Sequence, residues 1–137
     1  MTTWDVVSAT GHRPQHLTPA EIEWARGEVP RIVAKLRVDY DMTVGVSGMA
    51  IGWDTWWAAG LVAADVDLWA HVPFPQQPEP WKPADQAEWQ RLLDAAKSVT
   101  TYGNRYDVKL LHARNDGMLF VSSAVVALWK PSKSDGG

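Results

Sequence analysis

Apolar residues recur along this chain in two rhythms. Residues 4–9, 44–46, 66–72, 98–102 and 124–129 are short stretches rich in β-branched and aromatic side chains, the composition of strands in a pleated sheet. Between them the spacing changes to that of helices. Ile22, Ala25, Val29, Ile32, Val33 and Leu36 fall on one face of a helix. Its start is well marked: Thr18 suits the cap, Pro19 the first helical position, and Glu21 completes a capping box. Pro30 removes one backbone hydrogen bond, which predicts a kink or two short helices. Trp56-Trp57-Ala58-Ala59 and Leu61-Val62-Ala63-Ala64 form a second helical run. Residues 84–97 form a third, with Trp89, Leu92, Leu93 and Ala96 on one face, and a fourth begins near Tyr106.

Strands alternating with helices predict an α/β domain: a mainly parallel sheet of about five strands, flanked by helices in three layers and joined by right-handed crossovers. At 137 residues the chain reads as one domain, 1–137. Ligands on such sheets bind beyond the carboxyl ends of the strands. Three loops of unusual composition, 10–14, 47–54 and 130–137, each follow a strand and therefore fall on one edge of the sheet. The connection after the third strand differs in kind. Prolines at 73, 75, 78, 80 and 83 exclude helix and central strand there. That leaves a rigid surface connection or a binding loop.

Composition narrows the chemistry. A hydrophobic fraction of 46% supports a real core, and the absence of cysteine excludes disulfides, thiolate zinc sites and a thiol nucleophile. A net charge of −3 counts against a general nucleic-acid-binding surface, which needs a basic excess, but leaves room for a local basic pocket. The first residues lack the basic start and apolar core of a signal peptide, and no apolar run approaches the roughly 18 residues of a membrane span. The expectation is a cytoplasmic protein that does not enter membranes.

Candidate chemistry gathers in three places. The stretch from Val44 to Asp54 reads as a strand, a Gly-containing turn and a helix start, where free N–H groups and the helix dipole favour an anion. Asp54, being negative, suits a ribose or a loop-ordering role better than a phosphate contact. Thr10-Gly11-His12-Arg13-Pro14 follows the first strand and presents an Arg. Leu111, Arg114, Asn115 and Met118 stand at helical spacing with two polar residues where a core-facing stripe should be apolar. Either the helix flanks a polar cavity or Asn115-Asp116-Gly117 is a turn. His12 and His16 are separated by Pro14, which argues against a metal pair, and Ser8, Ser47 and Ser132 sit in no nucleophile elbow. Trp53, Trp56 and Trp57 share one helix face, as core or as a dimer interface.

These stretches also resemble known motifs. Ser47-Gly48-x-Ala50-x-Gly52-x-Asp54 is similar to the S-G-x-A-x-G-x-D signature of DprA/Smf proteins and their Rossmann-like relatives, the SLOG superfamily, which includes the LOG phosphoribohydrolases and the YspA/YpsA proteins. Thr10-Gly11-His12-Arg13-Pro14 has all five residues of the T-G-H-R-P that ends the first strand in the YspA-like branch. Leu111-His112-Ala113-Arg114-Asn115-x-x-Met118 resembles the M-H-x-R-K-x-x-M segment of LOG proteins. Lys130-Pro131-Ser132-Lys133-Ser134-Asp135-Gly136-Gly137 lies near their P-G-G-x-G-T-x-x-E. Asn115 stands where LOG proteins have lysine. The sequence ends before the threonine and the catalytic acid of that motif, and the family's final strand and helix have no counterpart.

The resemblance implies a Rossmann-like domain that binds a nucleotide or nucleotide-derived, phosphate-containing ligand at the C-terminal edge of the sheet, as a sensor or binding domain. It also implies a homodimer. No cofactor and no metal are expected. The expected ligand-binding residues are Thr10, Gly11, His12, Arg13, Ser47, Gly48, Met49, Gly52, Asp54, Arg114, Asn115, Lys130, Ser132, Gly136 and Gly137. Two alternatives stay open. One is a LOG-like hydrolase of the N-glycosidic bond in nucleoside monophosphates, with Arg114 and Asp54 as catalytic candidates. The other is a DprA-like binder of single-stranded DNA, which the acidic balance counts against.

Overall fold

Five strands, β1 (Val6–Gly11), β2 (Val44–Ser47), β3 (Asp67–Val72), β4 (Ser98–Thr101) and β5 (Ala124–Leu128), pair side by side in the order β4-β3-β2-β1-β5, every neighbour parallel. Four helices connect them: α1 (Pro19–Tyr40), α2 (Trp53–Ala63), α3 (Pro83–Ala95) and α4 (Val108–Val121). The computed structural model describes residues 2–11 and 14–129. The architecture is a three-layer, Rossmann-like α/β sheet. No described helix is long and apolar enough to cross a membrane.

Strand order decides where the helices lie. From β1 to β4 the chain steps across the sheet in one direction, so right-handed crossovers put α1, α2 and α3 on one face. The step from β4 to β5 runs back past β1 to the other edge, so α4 covers the opposite face. The packing follows. Val7, Ala9, Leu68 and Ala70 of the sheet join Val29 and Val33 of α1, Trp57 and Leu61 of α2 and Leu92 of α3 in the main core. Helix contacts there are close: a Cβ on Gly60 would come within 2.2 Å of Val29 Cγ1. The second core, under α4 alone, is small: Val44, Val46 and Met118. One helix cannot roof five strands, so the sheet stays open on either flank of α4.

α1 is one continuous helix through Pro30, not two short ones. Its capping box is present, with Thr18 N donating to Glu21 Oε1 at 2.8 Å and Glu21 N to Thr18 Oγ1 at 3.2 Å. An interior proline costs roughly 3 kcal/mol. Burying Ala25, Val29, Val33 and Leu36 offsets this, at about 1.5–3 kcal/mol for each large side chain. Pro30 itself is on the exposed side, where water can serve the carbonyl that lost its donor.

The tryptophans of α2 divide. Trp53 and Trp57 are buried in the main core, and Trp57 Nε1 donates to Val46 O at 3.2 Å. Trp56 is half-buried, with the Arg26 guanidinium 5.8 Å above its ring. The three do not form the exposed stripe that a dimer contact on this face would need.

Candidate functional site

The β2–α2 turn is held by its own side chains. Ser47 Oγ accepts from Met49 N at 3.1 Å and donates to Asp54 O at 2.8 Å. Thr55 Oγ1 donates to Gly52 O at 3.0 Å. Ala50 N donates to Asp54 Oδ2 at 3.4 Å. Met49 is left-handed at φ 61°, a conformation that costs a residue with a Cβ roughly 1–3 kcal/mol and that gathers at ligand sites. Gly52, at φ 99°, caps α2 without a side-chain bond and lies against Pro14, whose Cδ would be 2.6 Å from a Cβ there. This differs from the anion cradle expected at the helix N-terminus. Two of the turn's N–H groups are already bonded, and the Asp54 carboxylate occupies the first turn of α2, where it complements the dipole.

The positive charge comes from across the sheet. α4 starts at Asp107, whose side chain accepts from Lys109 N at 2.9 Å, and runs without a break through Asn115, Asp116 and Gly117. No turn interrupts it, so Arg114 projects from a regular helix. Arg114 is only 7% exposed. Its Nη1 donates to Gly48 O at 2.9 Å and its Nε to Asn115 Oδ1 at 3.1 Å. A Cβ built on Gly48 would stand 3.1 Å from Arg114 Nε and 3.1 Å from Asp54 Oδ2. The bare backbone of Gly48 is thus what lets a cationic and an anionic side chain approach one point.

A cavity of about 400 Å³ opens at this point, on the β1–β5 flank of α4. Thr10 and Gly11 from β1, Asp54 from α2, and Arg114 and Asn115 from α4 line it together. β1 and β5 end in register there, Gly11 opposite Leu128. Ser47, Gly48, Met49 and Gly52 do not line it. Ser47 and Met49 are fully buried, Gly48 supplies a carbonyl acceptor, and Gly52 shapes the helix entry. His12, Arg13, Lys130, Ser132, Gly136 and Gly137 lie outside the described residues.

Two residues of this region, Trp53 and Gln77, were not expected at the site from the sequence. Trp53 lines the cavity and is 2% exposed, yet its indole N–H has no acceptor among the described residues. A buried donor without a partner costs about 1–3 kcal/mol and needs an explanation. Gln77 is buried in the Pro-rich connection. Its Nε2 donates to Gly48 O at 3.1 Å, and its Oε1 accepts from Trp89 Nε1 at 3.0 Å. Turn bonds from Gln77 N to Phe74 O (3.2 Å), Glu79 N to Gln76 O (3.0 Å) and Trp81 N to Pro78 O (3.0 Å) stitch the rest of that segment. The connection is a tied wall, and it encloses a second cavity of about 320 Å³ that shares Ala50, Ile51 and Arg114 with the first. Only the two adjacent glutamines among prolines hint at this in the sequence.

On the other flank of α4, His71 and Tyr102 are hydrogen-bonded, with Nδ1 and the hydroxyl oxygen 2.8 Å apart. Burial, and secondarily the charge of Arg114, hold the His71 imidazole below its ordinary pKa, while burial pushes the Tyr102 phenol up. Both groups are kept neutral.

No family model matches this chain, and no curated protein matches it.

Proposed function

We propose that this chain is a SLOG-type domain that binds a nucleotide or nucleotide-derived ligand at the C-terminal edge of its sheet, as a binding or sensing module. One observation carries the reading: Thr10 and Gly11, Asp54, and Arg114 and Asn115, from three separate elements, line one cavity. The chemistry of the pair at its centre fits a sugar phosphate. The Arg114 fork matches phosphate oxygens, and the Asp54 carboxylate accepts from sugar hydroxyls. The partner is a phosphate-containing small molecule, and a homodimer belongs to the same proposal, tested by a light-scattering mass of twice 15.2 kDa.

Titration calorimetry of adenosine monophosphate (AMP) into the full chain, with chromatography for free base, tests the reading. Saturable binding with intact AMP supports it, and no binding at millimolar AMP overturns it. A second reading, hydrolysis of the N-glycosidic bond, draws support from Asp54 in the cavity, since such chemistry needs a carboxylate. Base release that disappears in Asp54→Asn would replace the binding module with that enzyme. Steep salt dependence of binding to single-stranded DNA would favour the nucleic-acid alternative.

A further inference from the structure

The second cavity has a different character from the first. Phe74, Trp81, Tyr106 and Leu111 supply its apolar walls. Phe74 and Tyr106 meet edge to face, with ring centroids 5.4 Å apart and planes at 75°. Tyr106 is 67% exposed, so an aromatic face at the margin stands open to a ligand. Gln76, Gln77, Glu79 and Arg114 are the polar residues of its lining, and the two adjacent glutamines differ sharply. Both ends of the Gln77 amide are bonded within the protein. Gln76 Oε1 is buried and has no donor among the described residues. A buried amide oxygen without a donor is as costly as the Trp53 N–H. A flat ring that carries an N–H group satisfies both features: its faces stack on aromatic side chains, and its N–H donates to Gln76 Oε1.

We infer that the Pro-rich connection builds a ring-binding chamber beside the sugar-phosphate cavity, and that the ligand is a two-part molecule whose nitrogen-bearing ring, of the nucleobase class, sits in this chamber. Arg114 lies on the wall common to both cavities, so a ligand with a ring in one and an anionic part in the other meets it at the junction. Gln77 fixes the geometry. Its amide joins the connection to Gly48 O, the same oxygen that receives Arg114 Nη1, so both chambers are referenced to one backbone atom. The inference rests on the binding function proposed above and adds where the ring goes and what selects it.

The test compares two probes, AMP and ribose 5-phosphate, by titration calorimetry on the full chain and on Tyr106→Ala and Gln76→Leu. Tyr106 is exposed and Gln76 Oε1 bonds to nothing described, so neither change threatens the fold. The expected result is AMP binding at least about tenfold tighter than ribose 5-phosphate, in keeping with base–aromatic stacking. Each variant should weaken AMP about tenfold and leave ribose 5-phosphate where it was. Equal affinity of the wild type for both probes, or variants that bind AMP as the wild type does, would overturn the ring chamber while leaving the sugar-phosphate site standing. Binding of neither probe would overturn both.

Discussion

Arg114 Nη1 donates to the carbonyl oxygen of Gly48 at 2.9 Å, joining α4 to the β2–α2 turn across 66 residues of sequence. The same oxygen accepts from Gln77 Nε2 at 3.1 Å. One backbone carbonyl thus fixes a helix and a long connection relative to the strand ends. The Nε of the same guanidinium donates to Asn115 Oδ1 at 3.1 Å, so Arg114 is oriented by two contacts at once.

Replacing Arg114 with Lys keeps the charge and loses the fork. The expected outcome is a folded protein destabilised by about 1.5–3 kcal/mol, the worth of a hydrogen bond to a charged group. On the proposed function, AMP should raise the melting temperature of the wild type and not that of the variant. Thermal melts with and without AMP check both. A variant that keeps the full AMP shift would remove Arg114 from the site.

Gly48→Ala tests the approach of Arg114 and Asp54. The new methyl would press on Arg114 Nε and Asp54 Oδ2, each at 3.1 Å, and move them by a few tenths of an ångström. AMP affinity should fall severalfold by calorimetry, with far-ultraviolet circular dichroism unchanged. Unchanged affinity would mean that the spacing of these two side chains does not matter to binding.

Gln77→Leu leaves Gly48 O with one donor fewer and strands Trp89 Nε1 without its acceptor. The expected cost is about 1–3 kcal/mol in urea denaturation. Amide exchange at Gln77, Glu79 and Trp81 should quicken, since their turn bonds depend on the segment staying docked. Unaltered exchange would show that the prolines alone hold it.

The main core makes a sharper stability prediction. Leu61 is fully buried, and its Cδ1 lies 2.2 Å from where a Cβ on Gly45 would be. Leu61→Ala should cost about 2–5 kcal/mol. Gly45→Ala should cost about 1–3 kcal/mol by overpacking. Denaturation midpoints of the two variants and the double mutant check this. The double mutant should be more stable than the sum of the single losses implies, because each change relieves the other's defect.

His71 gives the fold a pH dependence of known sign. Its folded pKa is depressed from the ordinary 6.5, by burial first and by the Arg114 charge second, so the unfolded chain binds the proton better. The stability tied to neutral His71 is complete above about pH 6.5 and declines as pH falls from there through the folded pKa. Urea denaturation at pH 7.5, 6.5 and 5.5 should show that loss, and His71→Asn should reduce it. Wild-type stability that is flat across this range would contradict the assignment.

The sequence by itself determined what local physics governs. The Thr18–Glu21 capping box is written in four consecutive residues, and it forms as read. Five stretches read as strands pair into one parallel sheet because alternation with helices admits few other arrangements. Thr10, Gly11 and Asp54 follow from the rule that strand ends share an edge, Arg114 and Asn115 from polar residues at helical spacing, and all five line one cavity. Tertiary structure decided the rest, because burial between distant segments outweighs local preference. It carried α1 through Pro30 on the strength of one buried stripe. It turned Ser47 and Met49 inward, where an isolated turn would leave them open to a ligand. It sank Trp53 and Trp57 into the core, a choice that helical spacing leaves open because core and interface want the same residues. It also brought Gln77 to Gly48 and Tyr106 to Phe74, contacts between segments that no periodicity relates. The second chamber exists only through those contacts.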